Sequence, residues 1–156
     1  MTDERYIHDK IAYNYRMTNI QAGFLYDQLS DLDHILNKKN NVFKNYDVLF
    51  KDLFESQHII QLVSENNTQK SNWMYCIIIP KLNYKVFEKY MEDHLIQIRP
   101  FFYDIRRHKH LQDIEVLYPE CETNSNGVML PCYPELEANK QEYIANCIKN
   151  FIKEKL

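Results

Sequence analysis

The sequence predicts an α+β fold: a small three-stranded sheet with helices against one face and a long helical arm on the N-terminal side. Three observations carry this. An apolar stripe spaced by alternating threes and fours runs from Leu25 to Leu53, with no proline between residues 18 and 54. Further on, three short apolar runs are each punctuated by proline, glycine or polar residues. A second helical stripe then closes the chain. There is one composition regime and no internal repeat, which predicts one compact domain with an arm.

The arm starts at Thr18. Thr18-Asn19-Ile20-Gln21 has the form of a capping box, in which the threonine hydroxyl takes the amide of Gln21 and the glutamine reaches back. The stripe that follows is Leu25, Leu29, Leu32, Leu36, Phe43, Tyr46, Phe50 and Leu53, with Lys39 its one polar interruption. As a single helix or a helix pair it would span about 50 Å. Its spacing predicts a core face, compatible with a subunit contact. Residues 64–71 are polar throughout and read as a surface loop. Trp73 to Ile79, ended by Pro80, predicts a buried strand. Val86, Phe87, Tyr90 and Met91 predict a helix, and Ile96 and Ile98, alternating with Gln97 and Arg99, predict a second strand up to Pro100. An irregular helical stretch leads to a third strand at Val128 to Cys132. The last helix has Tyr143, Ile144, Cys147, Ile148, Phe151 and Ile152 on one face, with Asn139 as its expected cap and Glu142 three residues on.

Composition excludes several function classes. The chain has 2 glycines, Gly23 and Gly127, where about eleven would be average at roughly 7% usage. Phosphate-cradling loops of the P-loop or dinucleotide-binding kind need clustered glycines and are excluded. A formal net charge of -3 argues against nucleic acid as a partner. No apolar run approaches the roughly 18 residues of a membrane span, and Met1 to Lys10 is too polar for a signal peptide. Cys76, Cys121, Cys132 and Cys147 show no Cys-x-x-Cys spacing, and two of them sit in apolar patterns. Buried free thiols in a reducing compartment, the cytoplasm by default, are expected.

Candidate chemistry concentrates in two places. Tyr13-Asn14-Tyr15-Arg16-Met17 packs aromatic bodies, an amide and a guanidinium just ahead of the capped helix. An arginine fork and an asparagine amide can hold phosphate or carboxylate; the same residues could equally form a structural loop with Arg16 on a nearby carboxylate. Arg99-Pro100-Phe101-Phe102-Tyr103 offers a cation and three rings on a stiff turn, suited to a sugar or nucleotide or to local packing. His108 and His110 flank Lys109 but point apart on a helix, so a solvated basic turn is the reading and no metal site is expected. No serine or cysteine lies in a nucleophile elbow.

The same two places carry a family likeness. Asn14-Tyr15-Arg16-Met17-Thr18-Asn19-Ile20-Gln21-Ala22 resembles the Asn-Tyr-Arg-Met-Thr-Asn-Ile-Gln-Ala run of DegT/StrS-type sugar-nucleotide aminotransferases. Trp73-Met74-Tyr75 resembles the start of that family's first small-domain strand, and Ile98-Arg99-Pro100-Phe101-Phe102 its Thr-Arg-Pro-Phe-Phe turn. Leu130-Pro131-Cys132-Tyr133-Pro134 followed by Leu136 resembles its close before the last helix. Ala12 stands where glycine usually precedes the tyrosine. Gly23-Phe24 replaces a small-residue pair, at a glycine cost of about 1 kcal/mol.

The resemblance implies the small C-terminal domain of a fold-type I aminotransferase, with a mainly antiparallel sheet. It also implies a division of the chain: residues 1–17 as a remnant of the large domain with its cofactor-phosphate loop, 18–54 as the arm, and 55–156 as the small domain. Such enzymes pass an amino group to a nucleotide-linked keto sugar through pyridoxal phosphate held on a lysine. That lysine belongs to the large domain, and no lysine here matches it, so the chain is expected to be inactive alone and to be a piece of a longer or split protein with its C-terminus intact. The resemblance places Asn14 on the cofactor phosphate of a neighbouring subunit, with Arg16 as a second anion contact in the same loop. Arg99 and Tyr103 fall on the substrate side. The implied partners are a second copy or a large-domain chain. A non-catalytic module that binds a partner or a sugar nucleotide, or a relic without function, are the competing expectations.

Overall fold

The computed structural model describes residues 5–63, 66–68, 70–111 and 126–155. The chain forms α1 (Asn19–Leu29), α2 (Leu32–Leu49), α3 (Lys51–Glu55), β1 (Ile60–Gln61), β2 (Tyr75–Ile78), α4 (Tyr84–Asp93) and β3 (Arg99–Pro100). Two single 3-10 turns, Ile105–Arg107 and Lys109–Leu111, precede β4 (Gly127–Leu130) and α5 (Ala138–Lys155). The α+β expectation holds, with one correction: the sheet has four strands, in the order β1-β2-β4-β3, and every pairing is antiparallel. The added strand β1 aligns Ile60 with Ile78. Its signal, the apolar run Ile59-Ile60 with Leu62-Val63 nearby, is short enough to be lost beside the long stripe.

The alternation of β2, paired with a β4 that is buried throughout, decides which face the helices cover. Tyr75 and Ile77 pair with Leu130 and Val128, and all four are buried. Onto them pack Tyr46 and Phe50 of α2 and its end, and Ile148 and Phe151 of α5. Tyr75 sits among Phe43, Tyr46 and Phe50, with ring centroids 5.1, 4.7 and 6.4 Å away. The extended segment before β3 buries Ile96 and Ile98 and exposes Leu95, Gln97 and Arg99, as its alternation predicts. Only Arg99 and Pro100 reach the ladder, since proline has no N–H and suits an edge.

The arm is not one continuous helix. Ser30 Oγ donates back to the Asp27 carbonyl at 2.6 Å and Asp31 N bonds Gln28 O, which ends α1 and lets α2 restart. A second break falls at the buried Phe50. The predicted capping box is present: Thr18 N donates to Gln21 Oε1 at 2.8 Å and Gln21 N to Thr18 Oγ1 at 3.4 Å. The core-face reading holds only for the second half of the stripe. Tyr46 and Phe50 are buried and Phe43 and Leu53 half-buried, whereas Leu25, Leu29, Leu32 and Leu36 are exposed, and α1 buries no residue. Periodicity reports an apolar face without saying what covers it.

Smaller corrections follow from local bonds. The last helix starts at Ala138, because the Glu137 carbonyl already accepts from Gln141 N at 3.1 Å; Asn139 therefore lies inside the first turn. On that helix Tyr143 is half exposed, its hydroxyl donating to His94 O at 3.3 Å, and on α4 Val86 faces out. Cys132 and Cys147 are buried free thiols and Cys76 is half-buried; Cys121 and part of the 64–71 loop lie outside the described residues.

Gly127 is required by a close approach. A Cβ there would sit 2.2 Å from Phe101 Cγ and Cδ2, and the Phe101 N–H is tied to Gly127 O at 3.1 Å, so the ring base cannot withdraw. Gly127→Ala is expected to lower stability by about 1–3 kcal/mol through overpacking. An unchanged urea midpoint would show that the strand shifts at no cost.

Candidate functional site

The loop ahead of α1 is shaped by its own side chains. Asn14 Oδ1 accepts from Arg16 N at 2.8 Å, and Arg16 takes a left-handed backbone at φ 62°. That conformation is uncommon for a residue other than glycine and turns the chain sharply into the Thr18 cap. The asparagine oxygen is thus used locally. Its Nδ2 and the Arg16 guanidinium have no partner among the described residues and remain as outward donors. Tyr13 and Tyr15 flank them at 85% and 91% exposure.

This loop borders a cavity of about 580 Å³ whose other walls include His8, Lys10, His108 and His110. His8 N donates to His108 Nδ1 at 3.1 Å, which places any neutral-ring proton of His108 on Nε2. The His8 and His108 rings stack at 5.5 Å, and His108 meets His110 edge-on at 5.9 Å. Asp9 Oδ1 and His110 Nδ1 are buried without a hydrogen bond among the described residues, Asp9 lying 3.6 Å from Lys109. The reading of His108 and His110 as a solvated turn is corrected: both are half-buried, His108 between two 3-10 turns and His110 on the second of them. The convergence with His8 spans 100 residues, and no local pattern carries it. Among the described residues no group of three or more metal-ligating side chains is placed to hold an ion.

Arg99 and Tyr103 lie elsewhere. Arg99 is exposed on edge strand β3 and borders a different cavity from Asn14. The Tyr103 ring packs against the Arg107 guanidinium, 4.0 Å from its centroid. Next to it, hydrogen bonds from the Arg106 side chain and then from its backbone N–H hold the Asp104 carboxyl down at about 2. The stabilisation from this pair is present above the ordinary carboxylate range near pH 4 and is lost as pH falls toward 2. Arg106→Ala is expected to return the Asp104 titration toward about 4, read by carboxyl chemical shifts. An unmoved titration would mean that the backbone contact alone suffices.

The comparisons with known proteins bear on this geometry. The DegT/DnrJ/EryC1/StrS aminotransferase family matches residues 1–149, nearly the whole chain. The chain belongs to this family. Among curated relatives of this DegT/DnrJ/EryC1/StrS member, GDP-perosamine synthase of Vibrio cholerae is 32% identical over 156 residues, with 95% of this chain covered. GDP-perosamine synthase of Escherichia coli O157:H7 is 28% identical, with 97% covered. The chain spans only 41% of the length of each. The fold agrees with a sugar aminotransferase of Streptococcus pneumoniae in its PMP-form, at a TM-score of 0.76 and 18% identity over 93% of this chain and 37% of that one.

Asn14 Nδ2 and the Arg16 guanidinium of this family member are exposed donors, the chemistry by which phosphate or carboxylate is held. Among the described lysines, Lys39 and Lys70 are tied to the carbonyls of Trp73 and Leu62, and Lys38, Lys89 and Lys149 to surface carboxylates, while Lys10 borders the same cavity as Asn14. No described helix is long and apolar enough to cross a membrane.

Proposed function

We propose that this chain supplies the small domain and phosphate-gripping loop of a pyridoxal-phosphate-dependent aminotransferase for nucleotide-linked keto sugars. It works beside a large domain that carries the cofactor lysine and is inactive without it. The observation that carries this reading is the loop at residues 13–17: already folded, capped into α1, and aiming Asn14 Nδ2 and Arg16 outward. Such a loop serves a neighbouring subunit or domain better than its own. When bound, the cofactor supplies the electron sink for moving an amino group. Asn14 and Arg16 hold its phosphate across the interface, and Arg99 and Tyr103 lie on the substrate side. The names of the two curated relatives make GDP-linked sugars the first substrates to test.

A second reading, a non-catalytic module that binds a partner or a sugar nucleotide, draws on the sequence, in which no segment resembles the family's lysine-bearing stretch. One experiment separates the two. Borohydride treatment of the purified chain with pyridoxal phosphate is expected to give no adduct at a unique lysine; a stoichiometric one would overturn the reading. Mixing the chain with the part of the Vibrio cholerae relative that it does not cover is then expected to yield amino transfer. In that assembly Asn14→Ala should weaken cofactor retention about tenfold. It should change stability by under about 0.5 kcal/mol, since the side chain is exposed. An assembly without activity favours the module.

A further inference from the structure

Residues 10–17 are all exposed, and among the described residues none of them hydrogen-bonds to the sheet or to α2–α5. Their bond is the internal one from Arg16 N to Asn14 Oδ1. The helix that follows, α1, buries no residue either. A loop without packing of its own takes its place from whatever anchors the chain on each side of it. After the loop, that anchor is the joint of α1 with α2. Before it, the anchor is a histidine to which the proposed chemistry gives no task.

Residues 6–9 are fastened to the segment after β3 by three contacts. The Tyr6 ring meets Phe102 at 4.9 Å, and Asp9 Oδ1 lies 3.6 Å from Lys109 Nζ. Between them His8 N donates to His108 Nδ1 at 3.1 Å, with the two rings stacked at 5.5 Å. These contacts differ in what they fix. Lys109 is exposed, so its ion pair is screened and weak, and a contact between two ring faces leaves the backbone free to slide. The His8 bond is directional and engages the main chain itself. Its acceptor is also well held. His108 N donates to Ile105 O at 3.0 Å, and His108 O accepts from Leu111 N at 2.9 Å. Asp104 caps the first of the two turns through Arg106 N at 2.8 Å. The imidazole therefore stands on a joint that is fixed from both sides.

We infer that His108 is a positioning residue: by accepting the His8 N–H on Nδ1 it fixes where the chain leaves for residues 13–17, and so where Asn14 and Arg16 present their donors. Tyr13, Asn14 and His108 border one cavity, so a shift at His108 is felt at the loop directly. The consequence for function rests on the reading of that loop as a phosphate grip; the anchoring rests on geometry alone.

Two substitutions separate the acceptor from the mere presence of a polar side chain. His108→Asn keeps an acceptor at the place of Nδ1, whereas His108→Gln moves it out to the place of Nε2. In the full chain, His108→Gln is expected to speed exchange of the His8 amide about tenfold and to loosen residues 13–17 in backbone relaxation, with the urea midpoint unchanged. His108→Asn should restore both. His8→Pro removes the donor instead, at an exposed position away from the turns, and should loosen residues 13–17 in the same way. In the assembly with the uncovered part of the Vibrio cholerae relative, His108→Gln should weaken cofactor retention about as much as Asn14→Ala does. The two together should weaken it no further, since both act through one contact. Wild-type order of residues 13–17 in His108→Gln and His8→Pro, or no rescue by His108→Asn, would overturn the inference. So would retention lost in Asn14→Ala but kept in His108→Gln. Retention unchanged in Asn14→Ala would instead refute the phosphate grip, and the anchoring is then judged by the order of the loop in the chain alone.

Discussion

Replacing Phe50 with alanine is expected to cost about 3–5 kcal/mol, enough to unfold much of the population of a domain of ordinary stability. Phe50 is fully buried at the joint between α2 and α3. Its ring stacks on Tyr46 at 5.7 Å and meets Phe54 at 6.3 Å and Tyr75 at 6.4 Å. Removing it empties the place where the arm meets the sheet, and the main chain there is pinned by Phe50 N to Tyr46 O and Phe54 N to Phe50 O, so collapse is hindered. Val48→Ala, two residues away but exposed, is the control and should change stability by under about 0.5 kcal/mol. Thermal and urea denaturation read both variants. Equal midpoints would show that the joint repacks freely.

The second large effect concerns association. Residues 11–36 expose Ile11, Ile20, Phe24, Leu25, Tyr26 and Leu29, and no residue of α1 is buried. The isolated chain is expected to sediment as an assembly at micromolar concentration. Apolar burial at about 25 cal/mol per Å² drives this, so added salt should not dissolve it. Ile20→Glu with Phe24→Glu should leave a monomer, at little cost to folding because both side chains face water. A wild-type monomer that binds no apolar dye, with protected amides in residues 19–36, would refute the expectation.

What the sequence showed depended on the range of each signal. The capping box at Thr18 is settled within four residues, and both of its bonds are formed. The faces of α5 and of the segment from Leu95 to Arg99 follow from their periods, because their partners are the domain's own core. The first half of the arm has the same period and no cover, which a single chain cannot reveal. Strand β1 was missed because two ladder residues leave almost no pattern. At the candidate site, Asn14 and Arg16 were singled out by a motif alone. The meeting of His8 with His108 and the separate placement of Arg99 came from tertiary structure.

Gln141 is the one buried polar residue among the described ones. Its Nε2 donates to Val42 O at 2.8 Å and its Oε1 accepts from Asn45 Nδ2 at 2.9 Å, joining α5 to α2. Apolar ridges alone would let α5 slide along α2 by one turn and find nearly equivalent grooves. Such a slip would strand both ends of the amide in a dry interior, at about 1–3 kcal/mol for each unpaired group. Gln141 therefore acts as a detent, favouring one axial setting between the helix that ends the chain and the helix that continues the arm. Whatever α1 docks against meets a scaffold whose two long helices are locked in phase.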